Sequence, residues 1–61
     1  MKTLNEQELV IVVQAQTYVS YNYAPMEQEL FDDAVEECTL DEKVTFENIV
    51  AAYEDYIVLW K

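Results

Sequence analysis

The stretch Leu9-Val10-Ile11-Val12-Val13-Gln14-Ala15-Gln16-Thr17-Tyr18-Val19-Ser20-Tyr21-Asn22-Tyr23 decides the fold, because it satisfies two periodicities at once. At helical spacing, Ile11, Val12, Ala15, Tyr18, Val19 and Tyr23 share a stripe with Leu4, while Gln7, Gln14, Thr17 and Tyr21 lie largely opposite. At a period of two, Ile11, Val13, Ala15, Thr17, Val19, Tyr21 and Tyr23 alternate with Val12, Gln14, Gln16, Tyr18, Ser20 and Asn22, in a run rich in β-branched and aromatic types. A strand of that length exceeds the usual 3 to 10 residues or so and needs a partner ladder. The chain holds no glycine and a single proline, with neither Asn-Gly nor Asp-Gly to close a tight hairpin. The helix is therefore the expectation, and the architecture predicted is all-α: a small three-helix domain over residues 1–61 that could pair as a dimer. The alternative is an α+β fold in which residues 10–23 form a long strand pairing across a dimer.

Outward from this stretch, Thr3-Leu4-Asn5-Glu6 predicts the helix start, with the Thr3 hydroxyl and the Glu6 carboxylate as a reciprocal cap. On the other side Pro25, with its preset φ, predicts the first position of a second helix. There Met26, Leu30, Ala34 and Cys38 mark one side, widened by Phe31 and Val35. Thr39 to Val44 reads as a connection or single turn, and Thr45 restarts the chain. From Phe46, the residues Ile49, Val50, Tyr53, Tyr56, Ile57 and Trp60 recur at threes and fours and predict a third helix. Val58 and Leu59 fall off that stripe and, with Ala51 and Ala52, leave apolar surface near its end, so a homodimer through Val58, Leu59 and Trp60 is a candidate.

Charge excludes several function classes. Thirteen acids face Lys2, Lys43 and Lys61, with no Arg or His, for a net charge of −10 in 61 residues. Binding to a nucleic acid or to an anionic membrane needs cations that this chain lacks. No run of about 18 apolar residues is present to span a bilayer. Leu9 to Val13 is flanked by Glu8 and Gln14, which is no secretory h-region, so a soluble, cytoplasmic setting is expected. At 52% hydrophobic, the chain still differs from disordered acidic tails and is expected to fold. Cys38 has no second thiol or histidine to join it in a disulfide or zinc site, so the core is apolar and the expected stability is only about 3 to 5 kcal/mol.

Catalytic chemistry is sparse. There is no histidine, Ser20 is the only serine, and the acids beside Cys38 disfavour its thiolate, so the protein is not expected to be an enzyme and no cofactor is implied. The acids Asp32, Asp33, Glu36, Glu37, Asp41 and Glu42 lack the glycine that bends an EF-hand loop, so a specific calcium or other metal site is not expected either.

What remains is the distribution of the acids. Residues 1–24 carry Lys2 against Glu6 and Glu8, a net of −1, while residues 25–61 carry Lys43 and Lys61 against eleven acids, a net of −9. On the second helix Glu29, Asp33 and Glu37 repeat at i, i+4, i+8, about 6 Å apart along the axis, with Asp32 and Glu36 in a neighbouring row. Phosphates of one DNA strand rise about 3.4 Å each. Two such rows on a rigid rod offer an Arg- and Lys-rich groove much of what it meets on a nucleic-acid backbone. Glu36 and Glu37 also oppose the dipole near the end of their helix, and an unmixed surface of one sign destabilises the fold it covers.

The candidate partner-binding residues are thus Glu29, Asp32, Asp33, Glu36, Glu37, Asp41 and Glu42, joined by Tyr21, the aromatic off the main stripe. The other tyrosines, Tyr18, Tyr23, Tyr53 and Tyr56, read as the edge of the core. In composition the chain resembles the small acidic inhibitors that phages and mobile elements direct at nucleic-acid-binding proteins. That resemblance implies a non-catalytic DNA mimic whose partner is a basic nucleic-acid-binding protein. The competing readings are a homo-oligomeric structural or interaction module kept dissolved by its acids, and an immunity protein or antitoxin for a basic toxin.

Overall fold

Asn5, not Thr3, caps the first helix. In the computed structural model, which describes residues 4–59, helix α1 runs Glu6–Asn22. The Asn5 side chain accepts from the Glu8 amide at 2.8 Å, and Glu8 Oε1 accepts from the Asn5 amide at 3.0 Å. The sequence holds two overlapping cap patterns, and asparagine is the better cap, so the start moves two residues along. Thr3 lies outside the described residues.

The helical period wins over the alternating one. Ala15 and Val19, at i and i+4, are fully buried, with Ile11, Val12 and Tyr23 half-buried against the same core. No strand occurs among the described residues, which overturns the α+β alternative for residues 10–23. The physical reason is that a helix closes its own hydrogen bonds, whereas a long strand leaves a full row of donors and acceptors to be paired elsewhere.

α1 ends where the Tyr23 amide donates to the Val19 carbonyl at 2.8 Å and Asn22 Nδ2 donates to the Tyr18 carbonyl at 2.8 Å. Pro25 does not open the second helix: α2 runs Gln28–Leu40, with Glu27 as its N-cap. Glu27 is extended at φ −87°, ψ 103°, and its amide donates to the Tyr53 hydroxyl at 3.0 Å. That tether holds the backbone out of the helical region for two residues after the proline, whose own peptide bond to Ala24 is cis. Within α2, Phe31, Ala34 and Cys38 are buried, and Leu30 and Val35 flank them. The helix continues through Thr39 and Leu40, beyond the expected break, with the Thr39 hydroxyl donating back to the Val35 carbonyl at 2.8 Å.

α2 then stops in a six-to-one closure. The Lys43 amide donates to the Cys38 carbonyl at 2.9 Å and the Glu42 amide to the Thr39 carbonyl at 3.2 Å, which is a Schellman motif. Its left-handed position is filled by Glu42, at φ 56°, where glycine is the usual occupant. Holding a side chain there costs about 1 kcal/mol after glycine's own chain entropy is set against it. Glu42→Gly is therefore expected to raise the melting temperature by roughly 4 to 8 °C. A thermal melt followed by circular dichroism checks this, and a melting temperature that stays level or falls would contradict it.

Thr45 caps α3, Phe46–Leu59, accepting from the Asn48 amide at 3.1 Å. Ile49, Val50 and Tyr53 of α3 complete the core, and Val44 closes its end. α3 packs against both other helices, which touch each other little. The protein is thus an all-α three-helix unit, with α3 as the shared wall.

Candidate functional site

The burial of Phe31, Ala34 and Cys38 fixes the rotation of α2 and hence the placement of its acids. Glu29, Asp32, Asp33, Glu36, Glu37, Asp41 and Glu42 are all exposed. Their rows differ in surroundings. Glu29, Asp33 and Glu37 drift toward the seam with α3, because an i, i+4 row winds around the helix axis. Glu29 and Asp33 border an open cleft of about 760 Å³ at one end of that seam, together with Glu27 and the rings of Tyr23 and Tyr53. Glu37 and Asp41 border a smaller groove of about 350 Å³ at the other end, where α3 adds Asp55 and Lys43 stands alongside. Asp32 belongs to the outward row and accepts from Gln28 Nε2 at 2.9 Å.

Two acids, one on α2 and one on α3, are braced by tyrosine hydroxyls. Tyr56 donates to Glu37 from α3 to α2, and Tyr23, just after α1, donates to Glu54 on α3. The Glu37 hydrogen bond, with help from partial burial and the nearby negative charge of Glu37 and Asp33, pushes the Tyr56 phenol up to about 12. Tyr23 is raised for the same first reason, its bond to Glu54. Both phenols ionise more readily in the unfolded chain, so the stability they contribute is complete below about pH 10 and is lost as pH rises through their folded values, which for Tyr56 is about 12. An alkaline unfolding titration is expected to show this loss, and the double variant Tyr23→Phe, Tyr56→Phe to start less stable and lose less over that range. An unchanged alkaline slope in the variant would show that the two pairs do not couple to folding.

Cys38 sits beneath this surface. Burial first, and the charges of Glu37 and Asp41 second, push its thiol up, away from the thiolate form. Among the described residues no three carboxylate or thiol side chains are placed to hold a metal ion. The acids form a strip, not a cage.

Other expected site residues lie elsewhere. Tyr21 is 85% exposed but stands on α1, away from the α2 rows. Val58 is exposed near the end of α3, while Trp60 and the side chain of Leu59 lie outside the described residues, as do Lys2 and Lys61. Lys43 is the only cation among the described residues, so little positive charge interrupts the strip. Sequence reasoning missed Asp55, which α3 brings to the smaller groove, and Glu54, which accepts from the Tyr23 hydroxyl; neither carried a local signal, since both placements depend on how the helices pack. No described helix is long and apolar enough to cross a membrane. Comparison with protein-family models, curated proteins and solved structures finds no match.

Proposed function

We propose that the protein is a small non-catalytic inhibitor that occupies the basic nucleic-acid-binding surface of a target protein, its α2 carboxylates standing in for backbone phosphates. One observation carries this: acids from two helices follow a single seam, with Glu27, Glu29 and Asp33 at one cleft and Glu37, Asp41 and Asp55 at the other. A coating that served solubility alone has no reason to line both clefts of one seam with acids against a single cation, Lys43. Such a strip meets an Arg- or Lys-lined groove along its whole length. The clefts between carboxylates give long cationic side chains somewhere to insert, and the half-buried Tyr23 ring at the cleft with Glu29 and Asp33 adds an aromatic surface for a guanidinium.

Inhibition on this basis is stoichiometric and competitive with nucleic acid, and its association is fast and salt-sensitive. The test is displacement of duplex DNA from a panel of nucleic-acid-binding proteins. The native chain is expected to displace DNA from its target. The variant Asp32→Asn, Asp33→Asn, Glu36→Gln, Glu37→Gln is expected to bind on the order of 100-fold more weakly. Inhibition that survives these substitutions would overturn the proposal.

A further inference from the structure

The larger cleft of the seam, about 760 Å³, falls within the size range of sites that enclose a small ligand or an inserted side chain. Its apolar wall is Pro25, Leu30, Ile57 and the half-buried ring of Tyr23. Glu27, Glu29 and Asp33 stand beside that wall. Among the described residues their carboxylates meet no hydrogen-bond donor and no cation, whereas Asp32, Glu37 and Glu54 are each bonded by a side chain of the protein itself. Two helices also end here: Asn22 closes α1 and Ile57 lies in the last turn of α3, neither with a basic residue in that turn. Both helices thus bring a negative pole to the cleft, and Glu27 and Glu29 outweigh the positive pole of α2, which begins beside them.

Such a site suits positive charge carried on an apolar body. Among the described residues no three acids are placed to hold a metal ion, and a bare cation would leave the wall uncovered. A lysine ammonium is compact and strongly hydrated. An arginine guanidinium is flat and weakly hydrated, bonds two carboxylate oxygens at once, and lies well against an aromatic ring while its stem covers apolar surface. One further group points to a peptide and not to a free guanidinium. Tyr53 borders the cleft at 1% exposure; its hydroxyl oxygen accepts from the Glu27 amide, but its O–H proton has no acceptor among the described residues. A buried donor of that kind is costly to leave unmatched, and a carbonyl of an entering segment satisfies it.

The smaller groove, about 350 Å³, is less suited, because Lys43 stands in its lining and Glu37 is already bonded to Tyr56. We propose that the larger cleft is the anchor of the seam and takes an arginine side chain from an extended segment of the partner. Its guanidinium lies at Glu29 and Asp33, its stem on Leu30 and Ile57, and a carbonyl of the segment at the Tyr53 hydroxyl. This anchor rests on the seam being the face that meets a basic partner; it adds which end holds tightest and by which side chain.

A nuclear magnetic resonance titration of the isotope-labelled full chain tests it, with the blocked tripeptide acetyl-Ala-Arg-Ala-amide as probe beside its lysine and citrulline counterparts. Amide shifts are expected to centre on residues 23–33 and 53–57, around the larger cleft. The lysine peptide is expected to bind about 3-fold more weakly, and the citrulline peptide, which keeps the shape without the charge, about 10-fold more weakly. The pair Glu29→Gln, Asp33→Asn is expected to weaken the arginine peptide about 10-fold. Glu6→Gln, Glu47→Gln removes the same charge from residues that line neither cleft and is expected to change it less than about 2-fold. All four side chains are exposed, so both variants are expected to keep the native circular dichroism spectrum. Equal binding of the arginine and lysine peptides, equal losses in the two variants, shifts centred on the smaller groove, or no shift at all would each overturn the anchor. Were that found while the native chain still displaced DNA, the seam would stand as the partner face without this anchor. Arginine binding at the cleft with no displacement of DNA would instead keep the anchor and remove the nucleic-acid-binding target.

Discussion

Tyr53→Ala is expected to leave the chain largely unfolded at 25 °C. Tyr53 is 1% exposed and is among the largest fully buried side chains of the core. Its ring lies 6.1 Å from that of Tyr23 and 6.2 Å from that of Phe31, both tilted, so it joins the end of α1, α2 and α3 at one point. Removing a buried aromatic ring costs roughly 3 to 5 kcal/mol, which is as much as a domain of this size holds without a disulfide or metal. The hydroxyl has a separate role, because it accepts from the Glu27 amide and so fixes where α2 begins. Tyr53→Phe keeps the ring and strands a partly buried donor, for a loss of about 1 to 2 kcal/mol. Urea unfolding followed by circular dichroism separates the two. A cooperative Tyr53→Ala transition close to that of the native chain would show that the three helices do not depend on this ring.

The same residue marks how far the sequence could be read. Ile49, Val50 and Tyr53 were legible as core from their spacing alone, as were Phe31, Ala34 and Cys38, since burial of one face repeats at threes and fours. α1 was harder. Its apolar residues surround the helix, so both periods fit, and the outer group of Leu9, Val10 and Val13 stayed hidden inside that ambiguity until the structure showed which side faces Ile49 and its neighbours. The boundaries shifted for reasons that sit far away in sequence. α2 begins after Glu27, not at Pro25, and Glu27 is extended with its amide bonded to Tyr53, 26 residues away. The left-handed Glu42 was invisible because the residue type argues against it. The acidic rows of α2 followed directly from helical geometry. The α3 contribution to the strip, and the Tyr56 to Glu37 and Tyr23 to Glu54 pairs, depend on how helices pack and had no local signal.

Neutralising the α2 acids is expected to move stability and binding in opposite directions. In the native chain Asp32 and Glu36, Asp33 and Glu36, and Asp33 and Glu37 stand three or four residues apart on α2, and like charges at that spacing cost a few tenths of a kcal/mol per pair. The variant carrying Asn at 32 and 33 and Gln at 36 and 37 removes these pairs and keeps an oxygen at position 37 for the Tyr56 hydroxyl. It is therefore expected to be more stable than the native chain by about 1 kcal/mol at low salt. Added salt screens the same repulsion, so the native chain is expected to gain stability between about 0.05 M and about 0.5 M NaCl and the variant to gain much less. Affinity for a basic target runs the other way, falling steeply with salt for the native chain and only weakly for the variant. If the carboxylates merely kept the protein dissolved, the variant would gain stability and lose solubility while DNA displacement was untouched. Removal of these α2 charges that leaves the chain firmer and inert toward its target would mark them as charges kept for contact. Equal displacement by native and variant chains at every salt concentration would remove that conclusion and leave the strip as a surface coating.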